Sequence, residues 1–145
     1  MSTNKFLSKE EEQQVVQAIQ SAEHQTSGEI RVHIESVCKG NVLDRAAWLF
    51  KSLKMHKTAQ RNGVLIYLST SDRKFAIIGD AGINAVVPAG FWDDVKELMI
   101  GNFSKGEMVE GFVAGIGKVG EKLKAFFPYQ EDDVDELSDE ISYGK

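Results

Sequence analysis

The chain has 145 residues, of which 42% are hydrophobic and 27% are charged. This composition is typical of one globular domain and excludes disordered, collagen-like and coiled-coil proteins. A chain of this size buries roughly 68–70% of its unfolded surface, so its core needs no disulfide or metal. The single cysteine, Cys38, excludes an internal disulfide. Because residues 1–12 are largely polar and no apolar stretch reaches the ~18–20 residues of a membrane helix, we expect no leader, no membrane span and a cytoplasmic location.

The net charge of −5 is unevenly distributed along the chain. Residues 129–145 contain seven acids and one base, which leaves residues 1–128 nearly neutral. We therefore predict a single domain over residues 1–128 and a flexible acidic tail over residues 129–145. Six bases and one acid lie between Lys39 and Arg61. This basic stretch is either a solvated helix face or a surface that the tail or an anionic partner covers.

The first half of the chain predicts a helix, a strand, a helix and a second strand. Ser8 and Glu11 form a capping box, which begins a helix that ends near His24. Apolar and polar residues alternate over residues 29–35, as in a strand at a sheet edge with one solvent-exposed face. Apolar spacing predicts a second helix over residues 43–53, and the unbroken apolar run over residues 64–68 predicts a central strand buried on both faces.

The second half predicts one further strand and two helices. Residues 69–73 form a turn, so residues 75–78 return as an antiparallel strand. Helical spacing follows over residues 92–103 and 108–127, and Pro128 ends the last helix. The element order is α-β-α-β-β-α-α. Since a helix joins the first two strands, they should be parallel through a right-handed crossover. The fold class is α/β, a three-layer α/β/α sandwich on a small mixed sheet.

Familiar chemical motifs are absent or misplaced. Residues 115–120 spell G-x-G-x-x-G, but they lie inside a helical pattern and do not follow a strand, so we expect no nucleotide cofactor there. The same glycines are expected to bring a helix close to the sheet. His24, His33 and His56 lie on different elements without metal-ligand spacing, so each is expected to be an ordinary residue.

The predicted topology brings several polar residues to one edge of the sheet. The starts of the first two strands and the end of the third meet there, and they carry Glu29, Arg61, Asn62 and Asp80, with Thr26, Gly28, Gly63 and Gly82 beside them. Carboxylate and amide oxygens suit a hard divalent cation such as calcium or magnesium, and a guanidinium suits a phosphate. Alternatively, Glu29 and Arg61 form a salt bridge and Asp80 caps the next helix. The residues leave both interpretations open.

Four blocks of the chain resemble the TPM domain family. They are Thr26-Ser27-Gly28-Glu29-Ile30-Arg31-Val32, Arg61-Asn62-Gly63-Val64-Leu65-Ile66-Tyr67, Ile78-Gly79-Asp80-Ala81-Gly82-Ile83, and Phe103-Ser104-Lys105-Gly106 with the glycines that follow. The resemblance covers about residues 8–128 and implies an α/β/α sandwich. It also implies an acid-phosphatase activity with divalent-metal binding in some members, and assembly or auxiliary roles in others.

The resemblance and the sheet edge together give two functional hypotheses. In the first, the domain is a phosphatase: Glu29, Asn62 and Asp80 hold a divalent metal, and Glu29, Asp80 and Arg61 carry metal-assisted phosphomonoester hydrolysis. Arg61 stands where the family usually has an acid, so a cation there would meet a positive charge. In the second, the domain is a non-catalytic protein-binding or assembly module that uses the basic stretch and Phe91 with Trp92. Nucleic acid is not an expected partner, because stacking aromatics do not alternate with bases on the strands.

Overall fold

The computed structural model describes residues 6–130 and 137–144. Its elements are α1 (Lys9–Glu23), β1 (Glu29–Glu35), α2 (Val42–Ser52), β2 (Gly63–Ser69), β3 (Lys74–Gly79), α3 (Ala81–Asn84), α4 (Asp93–Ser104), α5 (Met108–Lys124) and β4 (Ser142–Tyr143). The predicted capping box begins α1, since Ser8 Oγ accepts from Glu11 N and Glu11 Oε1 accepts from Ser8 N. The predicted element order is recovered, with the four-residue α3 and the short β4 added.

The four strands form one mixed sheet in the order β3-β2-β1-β4. β1 runs parallel to β2, as the connecting helix predicts, and β3 is antiparallel to β2. β2 is buried along its whole length, which explains its unbroken apolar sequence. The parallel register pairs Glu29 with Gly63, and Gly79 pairs with Val64. The starts of β1 and β2 and the end of β3 therefore share one edge of the sheet, as predicted.

Helices cover both faces of the sheet, which confirms the predicted three-layer α/β/α sandwich. The larger core lies between one sheet face and α1, α4 and α5, and it includes Ile30, Val32 and Ile34 of β1. The smaller core lies between the opposite face and α2, and it includes Leu65 and Tyr67 of β2. Among the described residues, no helix combines the length and the apolar character needed to cross a membrane.

The glycines of α5 bring that helix close to other helices. A Cβ on Gly115 would lie 2.2 Å from Met99 Sδ of α4, and one on Gly120 would lie 2.8 Å from Ala22 Cβ of α1. Gly117, by contrast, faces open space. Gly115 and Gly120 therefore serve packing between helices. The expectation that these glycines bring the helix close to the sheet is wrong, because α4 and α1 are the elements that they approach.

The structure differs from the sequence prediction at β1 and at the tail. β4 pairs with β1 through residues 33 and 142, so β1 is not the edge strand, and the polar side chains Glu29, His33 and Glu35 are buried. Ile141 is 8% exposed and Tyr143 Oη donates to Glu12 Oε2 at 2.5 Å. Residues 137–144 thus pack against the domain formed by residues 6–128, because apolar side chains interrupt the acidic sequence. The predicted tail acids at positions 131–136 lie outside the described residues.

Candidate functional site

The predicted sheet edge is organised by an ion pair between Arg61 and Asp80. Arg61 Nε donates to Asp80 Oδ2 at 2.7 Å and Arg61 Nη2 donates to Asp80 Oδ1 at 2.8 Å. Asp80 Oδ1 also accepts from the backbone N–H of Ala81 at 2.7 Å, so Asp80 is the N-cap of α3. The hydrogen bonds that Arg61 donates to Asp80 raise the pKa of Arg61. Asp80 therefore caps the next helix, as the second interpretation of this edge predicts. The same interpretation pairs Arg61 with Glu29, whereas in the structure Arg61 pairs with Asp80.

The backbone at this edge places Arg61 close to α3. Arg61 has a φ of 53°, in the left-handed region, and its carbonyl oxygen accepts from Gly82 N at 2.9 Å. A Cβ on Gly82 would lie only 2.1 Å from the carbonyl oxygen of Gln60. Glycine is thus required at position 82, because the backbone of residues 60–61 approaches it closely. This close approach keeps Arg61 next to Asp80.

Asn62 and Glu29 occupy the same edge and are almost fully buried, with exposures of 1% and 3%. Asn62 Nδ2 donates to the Ser27 carbonyl oxygen at 3.1 Å. Within residues 6–130 and 137–144, Asn62 Oδ1 is buried without a hydrogen-bond partner. An amide oxygen of this kind is a potential cation ligand. Nevertheless, no group of three His, Cys, Asp or Glu side chains in the described part of the chain could hold a metal ion.

Glu23, which no pattern in the sequence marks as a site residue, adds a third carboxyl group near this edge. Its Oε2 accepts from Ile30 N at 2.9 Å. Burial raises the pKa of Glu23, and a hydrogen bond with the Asp139 side chain and the charge of Glu29 raise it further. These effects favour the protonated form of Glu23, because a desolvated carboxyl group that faces other acids ionises less readily. Residue 139 belongs to the predicted tail, so only the folded position of that segment reveals the pair.

A second polar network lies at the other end of β1 and centres on Glu35. Arg45 of α2 donates to both Glu35 oxygens, at 2.9 and 2.8 Å, and Tyr67 Oη also donates to Glu35. His33 Nε2 lies 2.9 Å from Glu35 Oε1, and Ser142 Oγ lies 2.9 Å from His33 Nδ1. Burial alone would raise the pKa of Glu35, but the hydrogen bonds from Arg45, Tyr67 and His33 outweigh it and lower the pKa to about 2. Glu35 is thus an ionised carboxylate, and both of its oxygens accept hydrogen bonds.

His33 is buried at 3% exposure, against the expectation of an ordinary residue. Its ring stacks on Tyr67, with centroids 5.8 Å apart and planes 7° from parallel. Burial lowers the pKa of His33, although the bond with Glu35 opposes that effect. A sequence signal for this network exists: polar residues at alternate positions of one strand face the same side of a sheet.

The exposed surface of α2 carries an aromatic side chain within the basic stretch. Trp48 is 59% exposed and the Arg45 guanidinium lies 4.9 Å from the centroid of its ring. Leu43 is 54% exposed on the same helix. The binding-module hypothesis uses Phe91 and Trp92 as exposed aromatic side chains. In the structure these two rings pack against each other with centroids 4.7 Å apart, and Trp92 is only 8% exposed. Helical spacing places that tryptophan in the core, so the second hypothesis is corrected in this respect.

The α/β/α sandwich, the mixed sheet and the blocks along its polar edge together define a known class of domain. The TPM domain family matches residues 1–122, and the chain belongs to that family. The BA42 protein of the psychrophilic bacterium Bizionia argentinensis has a similar solved structure, with 46% sequence identity, a TM-score of 0.92 and coverage of 99% of both chains.

More distant structures share the fold alone. The N-terminal domain of a protein from P. gingivalis is 19% identical with a TM-score of 0.70, covering 88% of this chain and 83% of that one. The N-terminal domain of the cg2496 protein from Corynebacterium glutamicum is 15% identical with a TM-score of 0.63, covering 99% of this chain and 83% of that one. No curated protein matches the chain.

Proposed function

We propose that this TPM domain is a binding module that recognises an acidic protein segment through the exposed side of α2. The Trp48 surface consists of Leu43, Trp48, Lys51 and Lys54. The observation that carries the proposal is Trp48, a large aromatic side chain that is 59% exposed beside the Arg45 guanidinium. Exposed aromatic and arginine side chains contribute much of the binding free energy at protein interfaces.

Charge supports an acidic partner over a neutral one. Lys51 and Lys54 are exposed and form no ion pair with the described residues, whereas Arg45 is held by Glu35. Lys51 and Lys54 outnumber Asp44, the exposed acid of α2. A segment of net positive charge attracts carboxylates over distances comparable to the Debye length, about 8 Å at physiological salt. An acidic helix or strand with one or two apolar side chains would satisfy both features of the Trp48 surface.

A titration with three probes tests this proposal. A labelled peptide of alternating Glu and Leu, vesicles containing phosphatidylglycerol, and single-stranded DNA are each added to the intact protein. We expect saturable peptide binding that weakens with added salt and falls at least tenfold in Trp48→Ala. Val86→Ala, at a residue that is 51% exposed on the chain after α3, is the matched control and should bind normally. Peptide binding unaffected by Trp48→Ala, or preference for vesicles or DNA, would refute the proposal.

Metal-assisted phosphomonoester hydrolysis at the sheet edge remains a second proposal, and Asn62 favours it. Its buried Oδ1 has no partner among the described residues, and the Glu29 backbone N–H donates to the Asn62 carbonyl oxygen, so the two residues are neighbours. Amide and carboxylate oxygens are the kinds of ligand that a hard divalent cation takes. A bound ion would supply an activated water. Asp80 fits less well, because its oxygens are engaged by Arg61 and by the α3 backbone. For the same reason Arg61 would have to leave Asp80 before it could bind a phosphoryl oxygen.

Metal titration separates the two proposals. Calcium, magnesium and manganese are added while backbone amide shifts and the melting temperature are measured, since a ligand specific to the folded state must stabilise it. If the sheet edge binds an ion, the shifts should centre on residues 29 and 62 and be lost in Asn62→Ala. Ser71→Ala, at an exposed serine at the other end of the sheet, serves as the control. Shifts spread over the surface acids would count against the metal site.

A further inference from the structure

Three side chains from β4 and β1 form a continuous hydrogen-bonded chain. Ser142 Oγ lies 2.9 Å from His33 Nδ1, and His33 Nε2 lies 2.9 Å from Glu35 Oε1. His33 and Ser142 are paired in the sheet register, so their side chains lie on the same face. The order serine, imidazole, carboxylate is that of a nucleophile, a general base and the group that orients the base.

The protonation of the chain follows from Glu35. An ionised carboxylate only accepts hydrogen bonds, so the proton between His33 and Glu35 belongs to His33 Nε2. In the neutral ring, Nδ1 then carries a lone pair and accepts the hydrogen bond from Ser142 Oγ–H. The imidazole is therefore in the tautomer that can remove the serine proton. In the serine proteases Nε2 faces the serine and Nδ1 faces the carboxylate, whereas here Nδ1 faces the serine and Nε2 faces the carboxylate. The direction of proton transfer, from the serine to the imidazole, is the same.

We propose that Ser142, His33 and Glu35 form a catalytic triad that hydrolyses carboxylic esters. Ser142 is partly exposed on an outer strand of the sheet, so the serine end of the chain is the end nearer to solvent. The backbone of Gly144 covers the carboxylate end of the chain, since a Cβ there would lie 2.3 Å from Glu35 Oε1 and 3.1 Å from His33 Nε2.

The reaction needs no component beyond an ester and water. Ser142 Oγ attacks the carbonyl carbon while its proton passes to His33 Nδ1. The bond between that carbon and the alcohol oxygen then breaks, and the alcohol leaves with the proton. Water attacks the acyl-serine with His33 as the base, which releases the acid and restores the serine. One ester and one water give one acid and one alcohol.

Other elements supply the surroundings that the triad requires. Tyr67 of β2 stacks on the His33 ring and donates to Glu35, while Arg45 of α2 holds Glu35 ionised. Arg31, two residues before His33 on the same face of β1, has a buried Nε–H without a partner in the described residues. The charges of Arg31, Arg45 and Glu35 are thus those that set the titration of His33, together with its burial.

Labelling with a fluorophosphonate probe tests the triad directly on the intact protein. The serine oxygen displaces fluoride from the probe, and peptide mass mapping locates the adduct. We expect one adduct at Ser142, none in Ser142→Ala, and labelling at least 100-fold slower in His33→Gln. Ser71→Ala, at an exposed serine outside the network, should label as rapidly as the unmodified protein. Hydrolysis of p-nitrophenyl acetate should show a burst that disappears with Ser142→Ala.

The pH profile gives a second measurement that does not depend on the folding of variants. Labelling should be constant at neutral pH and fall below the usual pKa of histidine, about 6.5, since burial favours the neutral ring. A structural role for the network would produce no adduct at Ser142 at any pH. Failure to label Ser142, or labelling of Ser71 at an equal rate, would overturn the triad. Neither outcome affects peptide binding at the Trp48 surface, so the two proposals fail independently.

Discussion

Replacing Asp80 distinguishes its role as a helix cap from a role as a metal ligand. In the structure, Asp80 Oδ1 accepts the first free N–H of α3, and the same carboxylate holds Arg61. Asparagine keeps a side-chain oxygen for the helix and loses the charge, whereas alanine loses both. If the cap dominates, Asp80→Ala should be clearly less stable than Asp80→Asn.

The expected size of the effect follows from the exposure of each partner. Loss of an N-cap costs about 0.5–2 kcal/mol, and Asp80 is only 6% exposed, so the upper half of that range applies. The Arg61 side chain is 49% exposed and remains hydrated without its partner, so the ion pair adds less. For a domain of this size, a loss of about 1–2 kcal/mol lowers the melting temperature by roughly 2–8 °C.

Thermal unfolding of the two variants is measured at low and at high salt, with and without calcium. The cap contribution should be independent of salt, while the smaller deficit of Asp80→Asn should shrink as salt screens the lost ion pair. The role of Asp80 as a helix cap is refuted if Asp80→Asn is as unstable as Asp80→Ala, or if it is more stable than the unmodified protein. The latter result, with loss of a calcium-induced shift, would instead indicate repulsion between carboxylates at a metal site.

Three further perturbations test other parts of the structure. Gly82→Ala should lower stability by about 3 kcal/mol or more, because its Cβ would meet backbone oxygens, whereas Gly117→Ala in open space should raise it by about 0.5–1 kcal/mol; equal effects would contradict the close approach. Glu23→Gln should raise the melting temperature at pH 8 but not at pH 4, since a raised folded pKa makes stability fall as pH rises above the unfolded value near 4.5; exposed Glu97→Gln should show no such pH dependence. A chain ending at Pro128 loses buried Ile141, worth about 2 kcal/mol, so calorimetry should show a melting temperature at least about 4 °C lower; an unchanged value would show that residues 137–144 do not pack in solution.

The sequence was sufficient to predict most of the fold, because periodic apolar patterns mark elements that bury one face or both. The run at residues 64–68 is buried in β2, and the parallel crossover follows from the helix between β1 and β2. β4 could not be predicted in the same way. It has two residues and follows a strongly acidic sequence, so its stability comes from pairing with β1 and from the burial of Ile141.

The candidate site was predicted in position but not in its contacts. Topology places Glu29, Asn62 and Asp80 at one edge, whereas the partner of Arg61 depends on the side-chain direction that its left-handed backbone sets. The Glu35 network was missed for a different reason. Alternating polarity in β1 is normally a sign of one solvated face, whereas here that face is buried by pairing with β4 and by contact with Arg45 of α2.

The pairing of β4 with β1 has a consequence for the protein during its synthesis. The hydrogen-bonded residues His33 and Ser142 are 109 positions apart, which corresponds to about 5–20 s of translation at roughly 5–20 residues per second. During that interval β4 has not yet been synthesised, so the edge of β1 that pairs with β4 is open. An open strand edge is where nascent chains exchange strands or aggregate. Charged side chains at positions 29, 31 and 35 of β1 discourage such pairing until the last strand emerges.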